Sequence, residues 1–358
     1  MAMYEGLLSG IRVLDLGIWR PVPYATQLLS DLGADVLKVE PPGGDPMRVF
    51  PELFVSLNAN KRSIVLDLHD DADRARGLEL ATDADVVIEG FRPGVVERLG
   101  ISYADVSTVN PSIVYCSISG YGQNGPLATA PGHDLNYQAY AGVLAPRGGE
   151  PIECSAPIAD LAAGAYAAMA VCAALLGRAR NGEGEYIDLA MTDVLATWTG
   201  PFSNTSIGGG PQLRGLPTYG SFKTADDQWV CFGVIAEDHF WGAICDVFGI
   251  EDRLRNLDMV GRVQNDKEIR GIITAEVAGR KRSELVDLLG DTGALSPVLT
   301  REEMLEHPQF VQRNLVGIES PDGVSLMGYP VGLTNHLSKP PGRAPSAGEH
   351  QTEGFNPR

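Results

Sequence analysis

The sequence predicts an α/β protein with a large domain built around a parallel sheet and a smaller α+β unit. Two patterns support this fold class. In the first third of the chain, short β-rich runs alternate with helical runs, which is typical of a parallel sheet covered by helices. A segment rich in Gly, Pro and Ser then runs from Pro201 to Pro217, and shorter strands and helices follow it.

The predicted elements follow one another in chain order. The strands of the large domain are Ile11–Leu16, Ala34–Val39, Ser63–Leu68, Asp85–Glu89, Ser112–Ser119 and Tyr186–Ala190. The helices between them are Tyr24–Leu32, Arg74–Ala81 and a long Ala-rich helix from Asp160 to Arg178. In sheets of this kind a ligand binds beyond the carboxyl ends of the strands, so candidate site residues are sought there.

Composition and charge exclude several classes of protein. The 358 residues carry a formal net charge of -18, which argues against nucleic-acid binding. The five cysteines form no CxxC pair, which is typical of free thiols in a reducing compartment, so we expect a cytoplasmic protein. No signal peptide is recognised, and Leu161–Leu176 is short for a membrane span, so a buried helix is predicted there. The six histidines are scattered without metal-ligand spacing, and no metal site is predicted.

Gly120–Gly125 (GYGQNG) matches the glycine pattern of dinucleotide-binding loops and follows a predicted strand. A true fingerprint opens directly into a helix, whereas here Pro126 follows and then a loop. We therefore interpret these glycines as a loop that approaches some other ligand. Trp19 and Tyr24, near the first loop, are interpreted as core residues.

Longer motifs carry a resemblance to a known family. They are GADVLKVEPP (Gly33–Pro42), NKRSIVLDL (Asn60–Leu68), DVVIEGFRPGVVERLG (Asp85–Gly100), SGYGQNGP (Ser119–Pro126), HDLNY (His133–Tyr137) and GEGEYIDLAM (Gly182–Met191). In this order along residues 8–310 they resemble the superfamily of class III CoA-transferases and α-methylacyl-CoA racemases.

The resemblance implies a Rossmann-like large domain, a small domain and an interlocked homodimer. On this basis residues 1–200 form the large CoA-binding domain, 201–225 a linker and 226–305 the small domain. Residues 306–358 would return to the large domain and end in a polar tail. The implied partner is an acyl-CoA substrate, with no membrane or nucleic acid and no cofactor besides the CoA thioester itself.

A racemase needs two acid/base groups on opposite sides of the carbon next to the thioester carbonyl. The resemblance gives these roles to His133 and Asp160, with Asp134 orienting the histidine and Glu237 of the small domain supporting the pair. Asp160 also precedes an Ala-rich helix, where an aspartate commonly caps the first turn. We favour a racemase or epimerase of 2-methylacyl-CoA thioesters because the His133-Asp134 pair resembles that branch.

The alternative is a class III CoA-transferase. In that reaction the Asp160 carboxylate attacks the thioester and later carries CoA as an aspartyl-CoA thioester, without a base on the opposite face. Pro41–Asp45 (PPGGD), Asn60–Ser63 (NKRS) and Gly208–Gln212 (GGGPQ) resemble transferases. Alignment of Glu237 with the racemases also needs an inserted residue at Ala236.

An acidic protein that binds the phosphates of CoA needs local cations. The family's CoA-contacting segments match Lys38, Lys61, Arg62, Arg92 and Arg98, together with Gly90, Asn136 and Tyr137. We predict that these residues bind the CoA part of the substrate.

Overall fold

The structure is a computed structural model that describes residues 6–144, 151, 153–199, 216–336 and 340–357. The chain divides into two compact units. The first unit comprises residues 1–199 and 307–358, and the second comprises residues 200–306. The predicted linker 201–225 lies largely outside the described residues, as does Gly208–Gln212. The part of it that is described includes a strand, Tyr219–Lys223.

The first unit is a mixed α/β structure around a six-stranded parallel sheet. Its strands are β1 (Arg12–Leu16), β2 (Asp35–Glu40), β3 (Arg62–Val65), β4 (Val86–Glu89), β5 (Val114–Ser119) and β6 (Glu185–Ala190). They are hydrogen-bonded in the order β3-β2-β1-β4-β5-β6, which is the order of doubly wound Rossmann folds. The chain reverses its winding between β1 and β4, so the ligand crevice is expected beyond the carboxyl ends of these two strands.

Helices and short strands surround this sheet. The helices are α1 (Pro21–Asp31), α2 (Pro51–Asn58), α3 (Asp71–Asp83), α4 (Val95–Leu99), α5 (Tyr103–Val109), α6 (Asp134–Tyr140), α7 (Ile158–Asn181) and α8 (Met191–Thr199). A 3-10 turn covers Pro46–Val49. Short elements α15 (Pro308–Gln312), β10 (Ile318–Glu319) and β11 (Ser325–Leu326) return the chain to this unit.

The Ala-rich helix α7 is long and apolar enough to cross a membrane by length and composition. In this structure it packs on α1 and the sheet, and Ala163, Ala167 and Val171 are fully buried. A Cβ at Gly164 would lie 2.8 Å from the ring of Tyr24 and 2.9 Å from the carbonyl oxygen of Pro21. A glycine at this position therefore permits α1 and α7 to approach closely, as in the core of an α/β fold.

The C-terminal segment covers the edge of the sheet along β3. The amide of His350 donates to the carbonyl of Ser63, and the side chain of Gln351 bonds both backbone groups of Val65. These contacts satisfy backbone groups that an open edge strand would leave unpaired.

The second unit has its own core and a three-stranded antiparallel sheet. Its strands β7 (Tyr219–Lys223), β8 (Trp229–Gly233) and β9 (Leu295–Pro297) pair in that order. The helices are α9 (Asp238–Phe248), α10 (Asp252–Arg255), α11 (Met259–Gln264), α12 (Asp266–Ala278), α13 (Arg282–Leu289) and α14 (Arg301–Glu306). Trp241, Phe232 and Ile273 are buried at its centre.

Candidate active site

Asp160 lies in the first turn of α7, at the carboxyl edge of the sheet. Helix α7 begins at Ile158 and its end leads into β6, so the helix runs against the strands and its amino end reaches this edge. The N-cap is Pro157, which has no side-chain donor or acceptor. Asp160 is therefore a residue of the first turn and not the cap that its position before an apolar run suggested.

Asp134 supplies the missing cap from the neighbouring helix α6. Its Oδ1 accepts hydrogen bonds from the backbone N–H groups of Ala159 at 2.7 Å and Asp160 at 3.1 Å. Its Oδ2 accepts from the amide of Gln138. The partners of Asp134 are thus the free N–H groups of the helix terminus and Gln138, and its role in orienting His133 stays a prediction.

The surroundings of Asp160 favour a carboxyl group that titrates near neutrality. Burial and the adjacent charge of Asp134 raise the pKa of Asp160 to about 7, while the guanidinium of Arg20 opposes this rise. The Arg20 Nη1 lies 3.8 Å from the Asp160 Oδ2, and 15% of the Asp160 side chain is exposed. The carboxylate is therefore reachable, and it can gain or lose its charge under physiological conditions.

Arg20 was missed in the sequence. It follows β1 by four residues, at the carboxyl edge where ligands bind in such sheets. An arginine this soon after a strand of a parallel sheet could have indicated a residue of the site. The neighbouring Trp19, interpreted as a core residue, is 42% exposed and adopts a left-handed backbone with φ of 62°.

His133 is exposed and forms the N-cap of α6. Its backbone N–H donates to the Asn136 Oδ1 at 2.9 Å, so Asn136 closes the first turn of the helix. Among the described residues, no hydrogen bond or ion pair joins the imidazole to Asp160 or Asp134. The role of His133 as a second base stays a prediction.

Tyr137 holds the glycine-rich loop in place. Its hydroxyl donates to the carbonyl of Gly132 at 2.6 Å, and only 7% of the residue is exposed. A Cβ at Gly120 would lie 2.4 Å from the Tyr137 ring, and one at Gly132 would lie 2.7 Å away. These glycines make room for the tyrosine, which packs against them, and its predicted contact with CoA stays a prediction.

Lys38 and Lys61 are buried beneath the loop that follows β1. The Lys38 Nζ donates to the carbonyl of Gly17 at 2.6 Å and pairs with Asp45 at 2.9 Å. The Lys61 Nζ pairs with Asp15 at 3.1 Å, and burial lowers the pKa of Lys61 to about 8. Both ammonium groups are enclosed by protein oxygens, and their predicted contact with CoA stays a prediction.

Arg62 opens β3 and faces the C-terminal segment. It binds both carboxylate oxygens of Asp35, at 2.9 and 2.8 Å, and also donates to the carbonyl of Gly354. With 13% of its side chain exposed, it fastens the chain terminus to the sheet. The prediction that Arg62 binds CoA stays a prediction.

Gly90, Arg92 and Arg98 do lie exposed beyond the carboxyl end of β4. Beside them, Phe91 lines an apolar cavity of about 210 Å³ together with residues that follow β1, β2 and β3. An apolar cavity suits a flat ring, and exposed guanidinium groups suit phosphates.

Glu237 belongs to the second unit, where it is the N-cap of α9. Its Oε2 accepts from the N–H groups of Ile235 at 2.8 Å and Ala236 at 3.1 Å, which lowers the pKa of Glu237. The side chain is thereby tied to its own loop. Within the described residues, no three His, Cys, Asp or Glu side chains gather as metal ligands.

The chain is similar to known proteins over nearly its whole length. The chain matches CoA-transferase family III over residues 8–351. It is 34% identical to a succinate–glutarate CoA-transferase of Agrobacterium fabrum, covering 97% of this chain and 94% of that protein. It is 33% identical to a succinyl-CoA:mesaconate CoA-transferase of Haloarcula marismortui, covering 97% and 95%.

A solved structure of a CaiB/BaiF family protein from Brucella suis is also similar, with a TM-score of 0.85, 28% identity and coverage of 97% and 98%. The two relatives above are named as transferases, so the comparisons favour the transferase alternative over the racemase that the His133-Asp134 pair suggested. The chain belongs to CoA-transferase family III.

Proposed function

We propose that the protein transfers CoA between two carboxylic acids through a covalent aspartyl-CoA thioester on Asp160. The observation that carries this proposal is a reachable Asp160 carboxylate, whose backbone N–H is held by Asp134 and which faces the Arg20 guanidinium. A positioned and accessible carboxylate is what a nucleophile needs, and the relatives named as CoA-transferases support this reaction over racemisation.

The reaction proceeds by acyl exchange. The Asp160 carboxylate attacks the thioester carbonyl, the C–S bond breaks and a mixed anhydride forms with release of CoA thiolate. The thiolate attacks the aspartyl carbonyl of the anhydride, which expels the first acid as a carboxylate and leaves the aspartyl-CoA thioester. The second acid then attacks this thioester, and the returning thiolate takes the new acyl group and frees Asp160.

The CoA part of the substrate is assigned to the carboxyl edge of the sheet. The apolar cavity that Phe91 lines is assigned to the ring, and the exposed Arg92 and Arg98, which follow the same strand, are assigned to the phosphates.

The acids are proposed to be short dicarboxylic acids, in line with the succinate, glutarate and mesaconate that the relatives' names contain. We propose that the protein is cytoplasmic, as expected from the sequence. We also propose that it uses no cofactor, since the CoA thioester is itself the substrate. Among the described residues, Arg20 is the cation paired with Asp160 and is therefore a group that a second carboxylate could contact.

Transfer and racemisation are separated by one experiment. Succinyl-CoA is incubated with a panel of short dicarboxylic acids, and a 2-methylacyl-CoA is incubated in heavy water. Wild-type protein should form new acyl-CoA and should not exchange the α hydrogen for deuterium. The variant His133→Ala should keep transfer within about tenfold of wild type, which is about 1.4 kcal/mol of barrier. Deuterium exchange that depends on His133, without acyl transfer, would overturn the proposal.

A further inference from the structure

The loop that carries Arg20 is held by a buried charge cluster. Asp15 accepts from the N–H of Gly17 at 2.9 Å, and Lys38 donates to the carbonyl of the same residue at 2.6 Å. The N–H of Trp19 lies 3.4 Å from the Asp45 carboxylate, which also pairs with Lys38. The loop is therefore fixed at both ends and through its middle, even though Trp19 adopts a strained left-handed backbone.

Arg20 is directed at Asp160 without being bound to it. The 3.8 Å between the Arg20 Nη1 and the Asp160 Oδ2 is longer than a hydrogen bond. By contrast, Arg178 pairs with Asp85 at 2.8 Å. Among the described residues, no other hydrogen bond or ion pair involves the Arg20 guanidinium, and 27% of its side chain is exposed. Its N–H donors thus face both solvent and the nucleophile.

The proposed reaction removes the charge of Asp160 at one stage. When Asp160 is the aspartyl-CoA thioester it is neutral, and the guanidinium 3.8 Å away no longer faces an anion. At that stage the second acid must bring its own carboxylate to the aspartyl carbonyl carbon. An arginine can bind a carboxylate with two parallel N–H groups, which fixes its direction as well as its position.

We propose that Arg20 binds the reacting carboxylate of the acceptor acid in the aspartyl-CoA state and presents it to Asp160. This inference rests on the proposed function and adds the residue that receives the acid. In the exchange, one acid oxygen bonds to the aspartyl carbon, the C–S bond breaks and the electron pair leaves with CoA thiolate. The guanidinium stays bound to the other oxygen of the acid, and it pairs again with the Asp160 carboxylate when the new acyl-CoA is released.

A purely structural role for Arg20 makes different predictions. If Arg20 only held Asp160, its loss would change turnover alike for every acid and leave the acid's KM unchanged. If Arg20 binds the acid, its loss raises the KM for the acid and spares the KM for the donor thioester.

The groups around Asp160 that affect the pKa of its carboxyl are Asp134 from α6 and Arg20. Tyr137 from α6 also lies close enough for its own pKa to be raised by Asp160.

The test compares Arg20→Gln and Arg20→Lys with wild type, using the most active acid of the dicarboxylate panel. Arg253→Gln is the control, because that arginine is 56% exposed on the second unit and pairs with Glu251 and Glu268. We expect Arg20→Gln to raise the KM for the acid more than tenfold and Arg20→Lys to recover part of the loss. The pH midpoint of adduct formation should also rise in Arg20→Gln, because a cation that favours the ionised Asp160 is gone.

Intact-mass measurement of the CoA adduct on each protein tests the transferase reaction separately from the role of Arg20 in binding the acid. An adduct in wild type together with an unchanged acid KM in Arg20→Gln overturns the role of Arg20 and leaves the transferase standing. Absence of an adduct in wild type overturns the transferase and the role of Arg20 with it. An adduct in both proteins, with a raised acid KM only in the Arg20 variants, supports the inference.

Discussion

At the scale of single residues, two carboxylates share one helix terminus. Asp134 satisfies the N–H groups of Ala159 and Asp160, and its negative charge lies close enough to raise the pKa of the Asp160 carboxyl. The same residue therefore fixes the position of the nucleophile and limits its ionisation. The cation of Arg20 acts in the opposite direction.

This balance predicts the behaviour of Asp134→Asn. An asparagine keeps an oxygen for the two N–H groups but carries no charge, so the pKa of Asp160 falls. Since Asp160 attacks as a carboxylate and its pKa in the native protein is about 7, the rate of adduct formation rises through neutrality in wild type. The midpoint of that pH profile should move to lower pH in the variant, with Asp71→Asn on the exposed side of α3 as control. A midpoint that stays or rises would contradict the role of Asp134.

The residue types alone could not show which cations are free. Asp160 was predicted from the family resemblance, which rests on motifs that are long and specific. Lys38 and Lys61 fall in equally specific stretches, yet their charges are buried against Asp45 and Asp15. A sequence gives the charge of a lysine but not the carboxylate that lies across the fold from it.

At the scale of elements, the contact of α1 with α7 sets the distance between Arg20 and Asp160, since each residue lies at the amino end of one of these helices. Gly164 lies in that contact, whereas Gly177 lies on the same helix with no atom within 4 Å of a Cβ built on it. Substitution of Gly177 is therefore the control for substitution of Gly164, because both lie on α7 and only Gly164 lies in the contact.

Gly164→Ala should lower the free energy of unfolding by about 1–3 kcal/mol, because its methyl group would overlap Tyr24 and the Pro21 carbonyl. It should also reduce turnover by separating the two helices. Gly177→Ala should instead stabilise the protein by up to about 1 kcal/mol, because alanine favours the helix. Urea unfolding and the transferase assay measure both effects. Equal effects of the two substitutions would show that the α1–α7 contact is not close.

Because Lys61 is buried, we expect its substitution to change the free energy of unfolding and not the binding of substrate. Lys61→Met leaves Asp15 buried without its nearest cation, which costs about 3–5 kcal/mol in the free energy of unfolding. The KM for acyl-CoA measured below the unfolding transition should stay within a few-fold of wild type. A large rise in that KM at unchanged stability would return Lys61 to the CoA site.

The sheet was predicted more fully than the short helices. Each of the six strands contains aliphatic residues within a short segment, and its predicted start or end lies within a few positions of the observed bounds. Helix α6 was not predicted, because its seven residues show no clear period and its cap is formed by His133 and Asn136. The cap of α7 by Asp134 joins residues 25 positions apart, which no local pattern reveals.

At the scale of the whole molecule, we propose the interlocked homodimer that the resemblance implies. Two linked chains cannot separate without unfolding, so folded dimers should not exchange subunits. Tagged and untagged proteins are purified separately, mixed and measured by native mass spectrometry, where only the two parental dimers should be seen. Mixing after unfolding and refolding should give hybrids. Hybrids formed by simple mixing, or a monomer mass, would contradict the linked dimer.

The central claim is that Asp160 carries CoA as a covalent thioester. Wild-type protein is mixed with succinyl-CoA in the absence of acceptor acid, quenched and measured by intact-protein and peptide mass spectrometry. The account predicts a CoA adduct on the peptide that contains Asp160, its loss when an acceptor acid is added, and no adduct in Asp160→Asn. Acyl transfer without any adduct on Asp160, or full transfer by Asp160→Asn, would contradict the account.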